Sequence, residues 1–552
     1  MLRPLPLLTA LVLAGPVAFG LLGTLLPAAG LPLSDADGAM AAALAWPGLP
    51  RAMAVSVLSG VLSTIGALGV AVLILAGWHG TRAFRWLERA LSPLLAVPHA
   101  AAALGLAFLI APSGWILRPP ALALDWDAPP DALVPGDAWG LSLAAGLIAK
   151  ELPFLLLMML AALPQAAAGP RLRVARSLGA GRVAGWLKAV FPSVYAQVRL
   201  PVLVVLVYGM TNVDVAIILG PSTPTTLAVQ VTRWMASPDL GLRAVAAAGG
   251  TLLLCATLGV LGGWLLAERI VAGAGRTWIW SGRGLPEAPA RVAGLALAGA
   301  SAAMVLAGIG ALALWSVAGR WSWPAMAPEA LTARSWTRFG PEMLDTAGGT
   351  MAIAAAATLA SLLLVIGCLE AEHRHGLTAG QRALWLLYLP LLVPQVAFLP
   401  GLQLLPLSLG LGPSVWLVLA GHVIFVLPYV FLSLAGPWRA WDGRIARVAA
   451  GLGASRDRTL WRLRLPMLAA PRATAAAVGL AVSVGQYLPT LLLGGGRVAT
   501  LATEAVALSS GGDRRAIGVW GLGQTLAALM PFAVALGLPA LLWRRRRGMR
   551  HG

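Results

Sequence analysis

Lysine occurs only twice in the 552 residues, at Lys150 and Lys188, and both positions bear on what chemistry the chain can do. A phosphate-cradling loop needs Gly-Lys-Ser/Thr, so that backbone amides and the ammonium hold the nucleotide together. These lysines follow Ala149 and Leu187, so neither belongs to such a loop. Lys150 is followed by Glu151 about midway along an apolar run, where a charge is costly unless it is paired or faces water. Adjacent helical residues diverge by about 100°, so the two require different partners. Asn212 and Asp214 in one apolar run, and Gln486 and Tyr487 in another, add polar groups at corresponding places. Two readings are open for these six residues: a polar pathway or gate, or ion pairs and hydrogen bonds between packed helices. Cys255 and Cys368 lie in apolar runs and the six histidines are scattered, which predicts no disulfide framework, metal site or catalytic cluster.

The elements that must position these residues are membrane helices. The chain is 59% hydrophobic and 11% charged, too little polar surface for a soluble protein of this length. Apolar stretches of about 20 residues recur along it, and they are continuous rather than alternating, which excludes a β-barrel. The expected spans are 6–29, 54–77, 91–112, 139–162, 200–220, 246–268, 292–315, 346–369, 385–409, 413–435, 473–493 and 517–542. The first, after Arg3, reads as a transmembrane helix rather than a cleaved leader. Pro93, Pro98, Pro390, Pro394 and Pro400 interrupt the third and ninth.

The net charge of +19 sits in alternate loops: Arg82, Arg85 and Arg89, then Arg171, Arg173, Arg176, Arg182 and Lys188, then the run at 544–547. That is a positive-inside pattern, not a nucleic-acid patch, and it places both termini in the cytoplasm. The intervening loops carry acids, at Asp35 and Asp37 and at Asp125, Asp127, Asp131 and Asp137.

An internal repeat organises the chain. RVARSLGAGRVAGWLKAVFP (Arg173–Pro192) aligns without a gap on RVAAGLGASRDRTLWRLRLP (Arg447–Pro466), matching Ala175 with Ala449, Leu178 with Leu452, Gly179 with Gly453, Ala180 with Ala454 and Pro192 with Pro466. The register continues downstream, pairing Asn212 with Gln486, Gly220 with Gly494 and Asp239 with Asp513. Upstream, Leu94–Phe108 resembles Leu391–Leu405 at another offset, the shift being absorbed by an extra outward loop at 113–138. The expected organisation is a first repeat over 1–275, a cytoplasmic linker at 276–290 and a second repeat over 291–552. Each repeat contributes about six transmembrane helices in parallel arrangement. In each copy a glycine precedes a proline by thirteen residues, which predicts a helix, a turn with positive φ and a second helix re-entering the membrane. Val174, Leu178, Trp186 and Phe191 give the first loop an apolar side. An interfacial anchor helix is the plainer reading of one such loop; two in register favour a shared docking role.

These paired loops, at 163–199 and 436–472, resemble the EAA loop of bacterial ABC importer permeases. That motif runs Glu-Ala-Ala, three residues, Gly, nine residues, Ile, one residue, Leu-Pro. The glycine-to-proline spacing is kept in both copies and Leu465-Pro466 in the second; Phe191-Pro192 stands in the first, and the leading Glu-Ala-Ala is Arg173-Val174-Ala175 and Arg447-Val448-Ala449. The chain is similar to fused permeases of the ferric-iron and thiamine type. Through Leu147–Met159 and Val484–Arg515 it is similar to Ynj-type permeases. The resemblance implies an all-α permease fold with Gly179 and Gly453 as the coupling turns. It implies a separate ATPase, most simply a homodimer, that binds ATP and Mg, and a periplasmic solute-binding protein. It places the chain in the bacterial inner membrane, with Lys150, Glu151, Asn212, Asp214, Gln486 and Tyr487 as candidate pathway residues. A twelve-helix secondary transporter driven by an ion gradient is the alternative; it has no use for the paired loops.

Overall fold

A computed structural model describes residues 3–29, 38–377, 380–408, 410 and 412–542. Asp35, Asp37 and the arginine run at 544–547 lie outside the described residues. Among the described residues the structure is helical throughout, and the one β pairing is an isolated bridge between Ala318 and Leu331. Ten helices are long and apolar enough to cross a membrane, or up to twelve if each of two bent pairs counts as one span.

The helices overlap the expected spans, and two extend well beyond them. Leu242–Trp280 has 39 residues and Arg334–His375 has 42. At 1.5 Å per residue each is about 60 Å long, roughly twice a bilayer core. The first runs unbroken through Gly273 and Gly275, so only 281–286 is non-helical before Glu287–Ser316 begins. The expected span 91–112 is instead two helices, Arg82–Leu94 and His99–Ile110. Phe84, Leu87 and Leu91 are buried along one face of the former while Arg82, Arg85 and Arg89 occupy the other, the pattern of an interfacial helix. Pro98 then takes an extended conformation (φ −60°, ψ 147°) that the helix cannot pass through.

Glycines set how the two parts of the chain interlock. The first helix, Leu5–Ala28, lies on Gln395–Ser408, far away in sequence. A Cβ on Gly23 would stand 2.6 Å from the Gly401 carbonyl oxygen, so only a glycine allows the contact. The Gly401 amide also donates to Thr24 Oγ1 at 3.2 Å. The same crossing recurs between Glu287–Ser316 and His99–Ile110, where a Cβ on Gly105 would stand 2.6 Å from the Gly308 carbonyl carbon. Close backbone approach through small residues is how helices associate where lipid removes the hydrophobic drive.

The outer loops are packed rather than loose. Trp115 Nε1 donates to the Met326 carbonyl at 3.0 Å and Trp323 Nε1 to the Trp126 carbonyl at 3.1 Å. Arg118 is buried over the Trp321 ring (4.7 Å) and donates to the Ser322 and Ala325 carbonyls. Of the acids in the loop at 113–138, Asp137 has a task of its own. Its carboxylate accepts from the Leu141 and Ser142 amides, both at 2.8 Å, and from the Trp139 amide and the Ser142 hydroxyl. It thus caps Leu141–Ala162, the helix that carries Lys150 and Glu151.

Burial alone would raise the Asp137 pKa, but the hydrogen bonds from Ser142, Leu141 and Trp139 outweigh it and hold the carboxyl below its ordinary value. A depressed carboxyl contributes stability above its unfolded pKa and loses it as pH falls through the folded one. Asp137→Ala should therefore cost about 1 kcal/mol near neutral pH, read as a lower melting temperature in detergent. That deficit should shrink as pH falls and vanish once the carboxyl is protonated in both the folded and the unfolded chain; a deficit unchanged in acid would contradict the capping role.

Candidate functional site

Four membrane helices break, and their broken ends surround one cavity of about 340 Å³. The first break is 95–98. The second is Val393-Pro394, where the helices on either side meet at 84°. The third is Asn212-Val213, between Phe191–Thr211 and Asp214–Leu219, and the fourth is 485–487, between Ala469–Val484 and Leu488–Gly494. Unpaired backbone at membrane depth is tolerated only inside protein or against a cavity, so side chains must complete these breaks.

Lys150 completes the first. Its Nζ donates to the Leu94 carbonyl at 2.9 Å and to the Val97 carbonyl at 2.5 Å, tying off the end of the interfacial helix. Glu151 turns to the other side of the same break, 3.0 Å from His99 Nε2. The two adjacent charges therefore have different partners, as helical geometry requires. Asn212 completes its own break, donating to the Tyr208 and Gly209 carbonyls and accepting from the Ala216 amide. His422, from Val415–Arg439, bridges the fourth break, with Ser483 Oγ 2.7 Å from Nδ1 and Thr490 Oγ1 2.9 Å from Nε2. Sequence reading passed over His99 and His422 because they lack ligand spacing. Their signal was an imidazole within an apolar run, where it needs a partner.

Lys150, Glu151, Asn212, Asp214, Gln486 and Tyr487 all line this cavity. Tyr208, Tyr429 and Phe425 line it too, with His99 stacked obliquely on Tyr208 at 4.9 Å between ring centroids. The charges come from one side. In the register of the repeat, Lys150, Glu151 and Asp214 correspond to Ile424, Phe425 and Leu488.

The two repeated loops, around Gly179 and Gly453, have the same backbone. Ala168–Ser177 ends at Leu178 and Gly443–Gly451 ends at Leu452; Gly179 and Gly453 both have φ +80°. The Ala180 amide donates to the Ala175 carbonyl at 3.0 Å and Ala454 to Ala449 at 2.9 Å, while each glycine amide reaches back three residues. This is the glycine-terminated helix end in which a left-handed residue lets the last carbonyls be satisfied. Pro192 and Pro466 lie at the first turns of the helical segments Phe191–Thr211 and Leu465–Met467, where a missing amide costs nothing. The expected apolar side divides. Trp186 is buried against Phe191, whereas Val174, Leu178, Val448 and Leu452 point outward, both leucines more than 80% exposed.

The loops reach this likeness by different side chains. Ser455 caps its own helix, accepting from the Arg458 amide at 3.2 Å. Its counterpart Gly181 has no side chain, and Glu287, at the start of Glu287–Ser316, accepts from the Val183 amide at 2.8 Å. Arg464, buried and paired with Glu370 at 2.9 Å, corresponds to Val190, which is buried in an apolar core. Further out, Leu227 donates its amide to Ser56 Oγ and Leu501 donates its amide to Thr350 Oγ1, both at 3.0 Å, fixing two equivalent short outer helices.

A bundle of ten to twelve apolar helices, with two matched loops and one cavity at its broken helix ends, has the make-up of a polytopic membrane protein. The chain is 31% identical over 509 residues, 91% of its own length and 91% of the relative's, to the inner membrane ABC transporter permease protein YnjC of Escherichia coli. It is 28% identical over 110 residues to the spermidine/putrescine transport system permease protein PotC of Haemophilus influenzae, covering 20% of this chain and 43% of that one. No family model matches it. The chain belongs to the ABC transporter permease family.

Glu287→Ala should cost about 1 kcal/mol of thermal stability in the natural background, the usual value of a lost helix cap. In a Gly181→Ser background the new Cβ displaces the Glu287 carboxylate and the hydroxyl can cap the helix as Ser455 does, so the same change should cost almost nothing. Equal losses in both backgrounds would show that Glu287 does not act as the cap.

Proposed function

We propose that the chain forms the whole translocation pathway of an ATP-driven importer for a small solute, with residues 1–275 and 291–552 as two permease repeats facing one another across the cavity. The observation that carries this reading is the pair of cytoplasmic loops: identical glycine turns, each displaying an exposed valine and leucine one helical turn apart. Exposed apolar pairs of this kind mark surfaces awaiting a partner. Residues 163–199 and 436–472 seat in an ATPase, most simply a homodimer offering one groove to each. Ala175, Leu178, Gly179, Ala180 and Pro192, with Ala449, Leu452, Gly453, Ala454 and Pro466, build the two docking knobs. ATP and Mg are bound by that partner, and this chain performs no hydrolysis.

A solute-binding protein delivers cargo to the outer face of the inner membrane, with both termini of this chain in the cytoplasm. The arginine-rich loops support that orientation. Lys150, Glu151, Asn212, Asp214, Gln486 and Tyr487 line the path; Lys150 and Asn212 also hold its walls. Transport then requires only that closure of the ATPase favour one of two arrangements of the repeats, a differential interaction rather than chemistry in this chain.

Leu178→Asp and Leu452→Asp each place a charge on a docking knob and leave the turn intact. Each should reduce the ATPase co-purified with the chain about tenfold or more, as expected for an anchor residue at an interface. Membrane insertion should be unaffected. Undiminished co-purification of the double variant would overturn the coupling assignment. Solute movement driven by an ion gradient without any ATPase would favour the secondary transporter instead.

A further inference from the structure

The two repeated loops are moored to different parts of the chain. The second is held by its own repeat: Arg464 pairs with Glu370 at 2.9 Å and Asp457 with Arg374 at 2.7 Å, both partners lying on Arg334–His375. The first is held by the segment that joins the repeats. Lys188 Nζ donates to the Arg283 carbonyl at 2.8 Å and stands 4.5 Å from the centre of the Trp278 ring. At the other end of Arg182–Ala189, Glu287 accepts from the Val183 amide. A Cβ on Gly181 would collide with Glu287 Oε1, so the carboxylate fills the space that a side chain would take.

Glu287 opens the first helix of the second repeat, yet that helix runs along the first repeat. The Arg291 carbonyl accepts from Trp78 Nε1 at 2.8 Å, and a Cβ on Gly294 would stand 2.9 Å from the Leu73 carbonyl carbon. Ser301 lies about 21 Å up the helix from Glu287, at 1.5 Å per residue. Its hydroxyl is 3.5 Å from the carbonyl oxygen of Ala149, the residue before Lys150, and beyond it Gly308 crosses Gly105 of His99–Ile110. One unbroken helix thus joins the first loop to the elements that build the 95–98 break. The first helix of the first repeat, Leu5–Ala28, begins elsewhere, with Leu5 against Gly367.

We propose that Glu287 is a positioning residue that couples the first docking loop to the cavity across the boundary between the repeats. Movement of that loop passes along Glu287–Ser316 to the 95–98 break, while the second loop acts through Arg334–His375 of its own repeat. The bond from the Val183 amide to a carboxylate is charge-assisted, and so stronger than a neutral cap would be. The joining segment is then part of the coupling apparatus rather than a tether. This rests on the loops docking an ATPase, and the test separates the two claims.

In a chain with Cys255 and Cys368 replaced by alanine, Leu95→Cys and Val393→Cys each put a thiol on the cavity, at the first and the second break. The full chain with its ATPase, in lipid nanodiscs, is treated with methyl methanethiosulfonate with and without ATP, which should change the rate at both thiols. Gly181→Ser displaces the Glu287 carboxylate and supplies a hydroxyl cap in its place, so it parts the tie from the cap. It should leave the melting temperature and the co-purified ATPase unchanged. The ATP response at Leu95→Cys should nonetheless fall about fivefold or more, with that at Val393→Cys retained. Glu287→Gln, whose amide oxygen can still accept from Val183, should keep both responses. A Leu95→Cys response that survives Gly181→Ser, or equal losses at the two thiols, would overturn the proposal and leave the docking reading standing. A loss that tracks a lower melting temperature would reduce Glu287 to a helix cap, and one that tracks lost ATPase would reduce it to a docking contact; either overturns the coupling role. If ATP leaves Leu95→Cys unchanged in the parent chain the proposal falls, and if it leaves both thiols unchanged the docking reading falls too.

Discussion

A helix that breaks inside a membrane leaves amides and carbonyls with no water to satisfy them, at a cost of several kcal/mol for each group. This chain breaks four helices around one point, and the rest of its architecture follows from making those breaks affordable. Lys150 ties off the carbonyls of Leu94 and Val97, Asn212 bridges its own gap, and His422 spans Ser483 and Thr490. The prolines at 98 and 394 set where two of the breaks fall. The cavity lies among these four non-parallel helix ends, and the glycine crossings at Gly20, Gly23 and Gly401, and at Gly105 and Gly308, bring neighbouring helix backbones into contact.

The repeat conserves backbone geometry while exchanging the side chains that enforce it. A serine caps one loop helix and a distant glutamate caps the other. A buried arginine with a carboxylate partner holds one loop to the membrane helices, and a valine in an apolar core does so for the other. Turn glycines are kept because a φ of +80° leaves few alternatives, whereas a cap or an anchor has several chemical solutions. The cavity shows the same freedom used for asymmetry. Lys150, Glu151 and Asp214 come from the first part, and their counterparts Ile424, Phe425 and Leu488 are apolar. The loops are equivalent, and the cavity is not.

Much of this was legible in the residues. Continuous apolar runs located the spans, because a bilayer fixes their length, and the Gly179 and Gly453 turns could be read because positive φ favours glycine. The six polar residues singled out from sequence all line one cavity. What was not legible lies far apart in the chain. The carbonyls that Lys150 meets are more than fifty residues away, and Glu287 caps a helix more than one hundred residues earlier. Composition also misdirects where one residue type serves two ends. Asp137 belongs to an acidic loop by sequence and is a helix cap by structure. Trp186 and Leu178 looked like one apolar face, yet one enters the core and the other faces outward.

The account stands on the two loops moving together as the cavity changes its opening. Arg173 and Arg447 are exposed and correspond in the repeat, so spin labels at Arg173→Cys and Arg447→Cys, with Cys255 and Cys368 replaced, report the separation of the loops. In the lipid-embedded complex with its ATPase, the distance should shorten when ATP binds and recover after hydrolysis. A distance that stays constant through the cycle while solute is still transported would contradict the account.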